Sequence, residues 1–187
     1  GGPSSLQRSQ LANAGKPRII PMSELGPVPF EIHPLAPSDR DRTSQFIAAR
    51  WGDDVMAVHG TLYQPSALPG FVALRNDEWN GLVTYHIAGD QCEIISLDSV
   101  YPNLGIGSAL LQAVRAAALL AGCARLWLVT TNDNLNALRF YQKRGFVLAA
   151  LHANELERAR GLKPSIPLIG LEGIPLRDEI ELESFLP

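Results

Sequence analysis

The feature that most constrains this chain is a glycine-rich turn between a predicted strand and a predicted helix. Residues 92–100 are rich in β-branched and apolar side chains, residues 103–108 read Asn-Leu-Gly-Ile-Gly-Ser, and apolar residues then recur with helical spacing to about Ala121. The first N–H groups of such a helix have no partner within it, and the helix dipole favours an anion there. The turn therefore predicts a phosphate-binding site, although an ordinary loop-to-helix turn has the same pattern.

The segments around this turn predict a mixed sheet. Strand patterns cover residues 70–75, 79–87 and 92–100, and the short turns between them favour an antiparallel meander. After the helix, residues 125–130 form a nearly continuous apolar strand, so strand, helix and strand make a right-handed parallel βαβ unit. We expect an α/β (mixed α+β) fold with a mostly antiparallel central sheet, one parallel βαβ unit and flanking helices.

The remaining segments complete one predicted domain. The prolines at 17, 21, 27 and 29 favour a tail over residues 1–28, and residues 29–187 form the domain. Residues 30–35 predict an edge strand and residues 42–51 an amphipathic helix, followed by a short helical or irregular piece over residues 55–59.

The C-terminal part is predicted to return to the sheet. Residues 146–151 and 177–186 read as two antiparallel strands, the second alternating charged and apolar residues. For its acidic side chains, Glu179, Glu181 and Glu183, a solvated edge is favoured over a surface that attracts a cationic amine. Residues 152–161 read as a helix turn with a solvated face, and residues 162–175 as an ordered loop packed on the body. A homodimer contact is the alternative for residues 152–175.

Composition excludes several classes of protein. A net charge of −3 over 187 residues gives no basic surface for nucleic acid, and no apolar run approaches the length of a membrane span. The two cysteines, Cys92 and Cys123, indicate neither a disulfide framework nor a metal site. We expect a cytoplasmic protein with no metal, no nucleic-acid partner and no membrane association.

Two motifs resemble those of the GCN5-related N-acetyltransferase (GNAT) superfamily. Residues 103–108, continued by Ala-Leu-Leu, resemble the family's pyrophosphate loop. The pattern Asn134-x-x-Ala137-x-x-Phe140-Tyr141-x-Lys143-x-Gly145-Phe146 resembles its second cofactor motif. One departure is Pro102, where the family usually has Arg or Gln three residues before the first motif glycine. The loop would therefore bind mainly through its backbone.

The resemblance implies acetyl-CoA as cosubstrate and assigns residues to it. The strand end before the turn would lie along the pantetheine arm, the loop amides would hold the pyrophosphate, and the start of the next helix would contact the pantetheine region. The residues so implied are Leu97, Asp98, Ser99, Leu104, Gly105, Ile106, Gly107, Ser108, Asn134, Asn136, Ala137 and Tyr141. An acetyl group and a longer acyl group remain alternatives.

The resemblance also implies a catalytic acid and a catalytic base. Tyr141 would protonate the leaving thiolate, against the alternative of a core tyrosine. Glu93, on a strand face predicted to include Ile95, Leu97 and Ser99 but not Asp98, is the first candidate for the base. His86, His152 and a water chain are the other candidates.

These features predict direct transfer of an acetyl group from acetyl-CoA to a primary amine of a small molecule. A protein N-terminus or a lysine side chain is the alternative acceptor. From another class, a non-catalytic acyl-CoA-binding module remains open: Tyr141 favours activity, whereas Pro102 favours the binding module.

Overall fold

The computed structural model of the protein describes residues 30–187, so the tail predicted over residues 1–28 lies outside the described part. The strands of that part are β1 (Glu31–Pro34), β2 (Met56–Val58), β3 (Thr61–Tyr63), β4 (Gly70–Arg75), β5 (Glu78–Ala88), β6 (Gln91–Ser99), β7 (Arg125–Thr131), β8 (Val147–His152) and β9 (Glu179–Phe185). Its helices are α1 (Arg40–Trp51), α2 (Ile106–Leu120), α3 (Leu135–Gln142) and α4 (Glu155–Leu162). Short 3-10 turns cover Pro37–Asp39, Pro65–Ala67 and Leu171–Gly173.

Seven strands form one mixed sheet in the order β1-β4-β5-β6-β7-β9-β8. Strands β6 and β7 are parallel and are joined through α2, while the neighbouring strands pair antiparallel. β1 lies at one edge of the sheet. Proline has no N–H to donate, and at an edge position Pro34 causes no loss of a hydrogen bond between inner strands. The predicted mixed, mostly antiparallel sheet with one parallel βαβ unit is confirmed.

The main core lies between α2 and one face of the sheet. The side chains of Ile106, Leu110, Val114 and Ala118 recur every four residues along α2 and are at most 2% exposed. They pack with Cys92, Ile94, Leu126 and Leu128, which point to the same face of β6 and β7. This packing fixes the start of α2 against the sheet.

The C-terminal strand lies inside the sheet rather than at its edge. β9 is inserted between β7 and β8 and pairs antiparallel with both. The prediction of a solvated edge for Glu179, Glu181 and Glu183 is therefore wrong. Their face is covered, and Glu179 is only 3% exposed. The alternation of charged and apolar residues correctly predicted which side chains of β9 share a face. It carries no information about what covers that face.

Residues 56–63 form a β-hairpin, not the short helical or irregular piece predicted for residues 55–59. β2 and β3 pair antiparallel through a two-residue turn of His59 and Gly60, both with positive φ, at 46° and 72°. Positive φ at both central positions suits the twist of a tight hairpin. Glycine adopts that conformation readily, and histidine is among the other residues that tolerate it.

A β-bulge in β6 changes which side chains share a face. Thr84 pairs with Ser96, but the next residue, Tyr85, pairs with Ile94, so Ile95 is the extra residue. The hydroxyls of Thr84 and Ser96 hydrogen-bond at 2.8 Å, which fixes them on one face. Glu93, opposite His86, therefore shares its face with Ser96 and Asp98. The predicted grouping of Glu93 with Leu97 and Ser99, with Asp98 opposite, is wrong because strict alternation fails at a bulge.

Candidate active site

The glycine turn leads into α2 with its first amides uncapped. Asn103 and Gly105 adopt positive φ, at 63° and 81°, and Gly105 is the N-cap residue. No side chain caps this end of the helix and no acidic residue occupies its first turn. The amides of Ile106, Gly107 and Ser108 thus have neither an intrahelical acceptor nor a side-chain cap, which is the arrangement an anion requires.

A basic side chain that sequence analysis did not assign lies beside this turn. Arg144 donates hydrogen bonds to the Oγ of Ser108 from Nε at 3.1 Å and from Nη2 at 2.6 Å. Its Nη1 also donates to the carbonyl oxygen of Phe140, and its guanidinium lies 3.7 Å from the centroid of the Phe140 ring. The Phe140 ring in turn leaves little room at Gly107, where a Cβ would lie 3.2 Å from it. Arg144 therefore brings positive charge to the candidate phosphate site.

Strands β6 and β7 separate next to this turn. Their parallel pairing runs from Gln91 with Arg125 to Ile94 with Leu128, and no further pair joins them among residues 30–187. The bulge at Ile95 follows the last pair directly and bends β6. Beyond it, the main chain of residues 95–99 pairs with β5 on one side only. Its other edge has the open donors and acceptors that an extended ligand with amide groups could pair with.

The three β6 residues assigned to the cofactor lie on this open segment. Leu97 points towards the core, where its side chain would lie 3.6 Å from a Cβ at Gly107. The carboxylate of Asp98 accepts hydrogen bonds from Trp51 Nε1 at 2.6 Å and from Arg50 Nε at 3.4 Å. Arg50 also donates to the carbonyl oxygen of Ser99 at 3.2 Å. The end of α1 is thereby tied to β6.

The second motif forms α3 and its cap. The side-chain oxygen of Asn134 accepts a hydrogen bond from the amide of Ala137 at 3.1 Å, so Asn134 is the N-cap. Asn136 is exposed and Ala137 is half-buried in the first turn. This contact gives Asn134 a structural role, and its predicted contact with pantetheine stays a prediction.

Tyr141 lies between the rings of Phe140 and Phe146, with centroids 5.0 and 5.3 Å away. It is 6% exposed, and among the described residues its hydroxyl has no hydrogen-bond partner. Burial raises the pKa of its phenol, with a further contribution from the charge of Asp98. The phenol is therefore held in its protonated form, which is the form of a proton donor.

Glu93 lies on the opposite sheet face from α2, one residue before the last pair that joins β6 and β7. It is 6% exposed, and its Oε2 accepts a hydrogen bond from the hydroxyl of Tyr63 at 3.0 Å. Burial raises the pKa of the Glu93 carboxyl, while the Tyr63 hydrogen bond and the charge of His59 oppose the rise. Burial and the neighbouring carboxylate raise the pKa of Tyr63 to about 12. A carboxyl with a raised pKa is suited to exchange protons near neutral pH.

The two histidine candidates lie on the same face as Glu93. His86 pairs with Glu93 across β5 and β6, and its ring lies 5.9 Å from that of Tyr63. His152 is further away, on β8, where its Nε2 lies 2.9 Å from Oε2 of Glu181. His59, for which no role is predicted, lies edge-on against His152 with ring centroids 4.3 Å apart.

Acidic side chains of β9 continue this face. The amide of His59 donates to Oε1 of Glu179 at 3.4 Å, and Oε2 of Glu179 has no hydrogen-bond partner although it is buried. Arg125 neutralises Glu181 and Glu183, at 2.5 and 2.6 Å. Burial raises the pKa of Glu179, whereas hydrogen bonds from His152 and Arg125 outweigh burial and lower the pKa of Glu181.

Two further findings concern residues 30–187 only. No group of three or more His, Cys, Asp or Glu side chains there could hold a metal ion. None of the helices there has the length and apolar character that a membrane crossing needs.

Comparison with known proteins identifies the family of this chain. The model of the acetyltransferase (GNAT) family matches residues 29–146. The uncharacterized protein YdhI of Bacillus subtilis strain 168 is 49% identical over 138 residues, which are 73% of this chain and 86% of YdhI. YxbD of the same strain, also uncharacterized, is 43% identical over 154 residues, which are 82% of this chain and 97% of YxbD.

Solved structures share the fold at low sequence identity. A GNAT family acetyltransferase from Elizabethkingia anophelis with acetyl-CoA bound has a TM-score of 0.60 and 22% identity, covering 84% of this chain and 98% of its own. The chain belongs to the GNAT acetyltransferase family. The family and fold predicted from the two motifs are thus confirmed, whereas the predicted roles of single site residues stay predictions.

Proposed function

We propose that the protein is an acetyl-CoA-dependent N-acetyltransferase that acetylates a primary amine of a small molecule. The observation that carries the proposal is that two groups able to exchange protons lie on opposite faces of the sheet: Tyr141 packs in the core on the α2 face, and Glu93 lies on the other face. Tyr141 comes from α3 with an unpartnered hydroxyl, and Glu93 comes from β6 with a buried carboxyl. A binding module for acyl-CoA has no need of a buried carboxylate on the face away from the cofactor loop.

In this proposal the chain binds acetyl-CoA along β6 and the start of α2. The uncapped amides of Ile106, Gly107 and Ser108, together with Arg144, hold the pyrophosphate. The open edge of residues 95–99 pairs with the amides of the pantetheine arm. Support comes from the E. anophelis structure, which has acetyl-CoA bound in the same fold. The thioester then lies near the point where β6 and β7 separate.

The chemical step is direct transfer to the amine. Glu93 accepts a proton from the acceptor's ammonium group, and the neutral nitrogen attacks the thioester carbonyl carbon. A C–N bond forms, the C–S bond breaks, and Tyr141 donates its proton to the leaving thiolate of coenzyme A. The attacking nitrogen loses its second proton, which water carries to the Tyr141 phenolate, and Glu93 releases the proton that it accepted to solvent. The raised pKa of Glu93 makes it a stronger base than an exposed glutamate, and the raised pKa of Tyr141 keeps its proton in place.

Two free, buried thiols support a reducing compartment, and we place the enzyme in the cytoplasm. Cys92 and Cys123 are both unpaired, and burial raises the pKa of each thiol, to about 12 for Cys92. Thiols with such raised pKa values are poorly reactive at neutral pH.

The test is release of free coenzyme A thiol from acetyl-CoA in the presence of a panel of small amines, peptides with free N-termini and lysine peptides. We expect thiol release with a small amine, and mass spectrometry should find one acetyl group on that amine. Thiol release with peptides alone would contradict the small-molecule acceptor. Binding of acetyl-CoA without any acetylated product would contradict the enzyme assignment.

A further inference from the structure

We propose that the acceptor is an amine with a second positive charge, and that Glu179 binds that second charge while Glu93 faces the reacting amine. The inference rests on the proposed function and names the substrate class for the same site. It depends on two buried carboxylates, Glu93 and Glu179, on one face of the sheet. The hairpin of β2 and β3 contacts both, and neither has a Lys or Arg partner among residues 30–187.

The first step is that both carboxylates lie under the same hairpin. Glu93 pairs with Trp127 and Trp127 pairs with Glu183, so Glu93 and the alternate β9 residues, including Glu179, point to one face. Tyr63 on β3 contacts Glu93, and His59 at the hairpin turn contacts Glu179. β6 and β9 are two strands apart, and Glu179 lies four residues along β9 from Glu183, the residue level with Glu93. The Cα atoms of Glu93 and Glu179 are therefore roughly 16 Å apart, from roughly 10 Å across the sheet and roughly 13 Å along the strand.

The second step is the balance of charge on this face. Arg125 neutralises Glu181 and Glu183, and Arg158 pairs with Glu155 at 3.0 Å. Within residues 30–187, Glu93 has no ion pair, and the contact of Glu179 with a basic side chain is to His59, whose Nδ1 lies 3.7 Å from Oε2. Thus the two most buried carboxylates of the face are the two without a fixed cation.

The third step is the unmade hydrogen bond at Glu179. Its Oε2 is buried with no hydrogen-bond partner, although Glu179 is 3% exposed. A buried carboxylate oxygen without a partner is costly, and a cationic ligand that donates hydrogen bonds relieves both the missing bond and the missing charge. An ammonium group supplies both, because it carries one charge and up to three donors.

The matching ligand is a terminal diamine whose chain spans the separation. One end reaches Glu93 and the thioester as the nucleophile, and the other stays protonated at Glu179. The turn at His59-Gly60 lies over this second position, and a Cβ at Gly60 would be 3.7 Å from Oε1 of Glu155. The acidic side chains of α4 and β9 thus surround the second amine.

The experiment compares diamines with amino alcohols of the same length, using diaminobutane, diaminohexane, diaminooctane and diaminodecane as probes. The hydroxyl of each amino alcohol replaces the second ammonium without changing the chain. With the unmodified protein, we expect kcat/KM for the best diamine to exceed that of its amino alcohol about 10- to 100-fold. The ratio should be largest at one chain length.

The matched variants are Glu179→Gln and Glu157→Gln. Glu157 is exposed on α4 and serves as the control. We expect Glu179→Gln to reduce the diamine-to-amino-alcohol ratio to near one, and Glu157→Gln to preserve it. If Glu179→Gln does not fold, the comparison of ligands on the unmodified protein still decides the question.

The two proposals fail differently. If amino alcohols and diamines are acetylated equally well, the second-charge inference is overturned and the acetyltransferase proposal stands. If the ratio is high but unchanged in Glu179→Gln, the assignment to Glu179 is overturned. If no amine is acetylated at all, the proposed function is overturned and this inference falls with it.

Discussion

The guanidinium of Arg144 donates two hydrogen bonds to the Oγ of Ser108, although the two residues are 36 positions apart in the chain. The contact joins the end of the second motif to the first turn of α2. It brings positive charge to the loop that we propose binds phosphate, in which Pro102 occupies the position where the family resemblance implies Arg or Gln. The backbone-only loop expected from the sequence therefore has a side-chain cation after all.

Replacing Arg144 should weaken binding of acetyl-CoA through its phosphates. We expect Arg144→Gln to raise the KM for acetyl-CoA about tenfold, because one charge-assisted hydrogen bond is lost. The KM for acetyl-pantetheine, which lacks the pyrophosphate, should be unchanged relative to the unmodified protein. Arg139→Gln is the control, since Arg139 is exposed on α3, five residues before Arg144. An equal loss with both acyl donors would show that Arg144 acts only through folding.

Replacing Glu93 should remove the catalytic base. We expect Glu93→Gln to lower kcat about 10²- to 10³-fold. For the unmodified protein, the rate should rise with pH as Glu93 loses its proton, with a midpoint above the ordinary glutamate pKa because burial raises it. That limb of the pH profile should disappear in Glu93→Gln. Full activity of this variant would assign the base to His86, His152 or water.

The same variant should change stability in a direction set by linkage. The folded protein holds the Glu93 proton more tightly than the unfolded chain, because its pKa is raised on folding. Ionisation therefore costs stability as pH rises through the unfolded value. We expect Glu93→Gln to melt at a higher temperature than the unmodified protein at neutral pH, with the difference shrinking in acid. A lower Tm at neutral pH would contradict the burial cost.

Tyr141→Phe should separate proton donation from packing. The ring is buried between Phe140 and Phe146 and its hydroxyl makes no hydrogen bond with the described residues, so the variant should keep the fold. We expect kcat to fall about 10- to 100-fold with little change in the Kd for acetyl-CoA. The loss should be smaller with an acyl thioester whose thiol is more acidic, because that leaving group needs less protonation. An unchanged kcat would remove Tyr141 from the role of acid.

Gly81 on β5 packs against the start of α2, next to the proposed phosphate site. A Cβ at Gly81 would lie 2.6 Å from Cγ2 of Ile106 and 3.0 Å from Cδ1 of Leu110, both on α2. We expect Gly81→Ala to cost about 1–3 kcal/mol of unfolding free energy and to raise the KM for acetyl-CoA, because it displaces the start of α2. Gly161→Ala on α4 is the control, since nothing lies within 4 Å of that Cβ. Gly161→Ala should raise the free energy of unfolding by about 0.5–1 kcal/mol, because glycine is unfavourable inside a helix. Thermal or urea unfolding would measure both changes.

The features predicted correctly from the sequence are those encoded locally. Helical spacing after residues 103–108 identified α2. Residues 133–146 predicted α3 with Asp133 or Asn134 as its cap and a stop at Gly145, and the structure uses Asn134 as the cap. Short turns identified the antiparallel meander of β4, β5 and β6. In each case, the residues that determine the structure are close together in the chain.

The features that sequence reasoning missed depend on contacts between distant segments. Insertion of β9 between β7 and β8 is a choice of neighbour that the strand's own alternation does not encode. The bulge at Ile95 interrupts the strict alternation of faces along β6, on which the predicted grouping of Glu93 with Leu97 depended. The hairpin over residues 56–63 is short, and its turn uses His59 where Asn or Asp is more usual. These three errors together hid the buried acidic face.

The central claim is direct transfer of acetyl from acetyl-CoA to an amine, and isotope transfer tests it most directly. The protein is incubated with acetyl-CoA labelled in the acetyl group and a small amine, and product, thiol and protein are each quantified by mass spectrometry. We predict one labelled acetyl group on the amine for each thiol released, with no label on the protein. Thiol release without an acetylated amine, or binding of acetyl-CoA with neither product, would contradict the account.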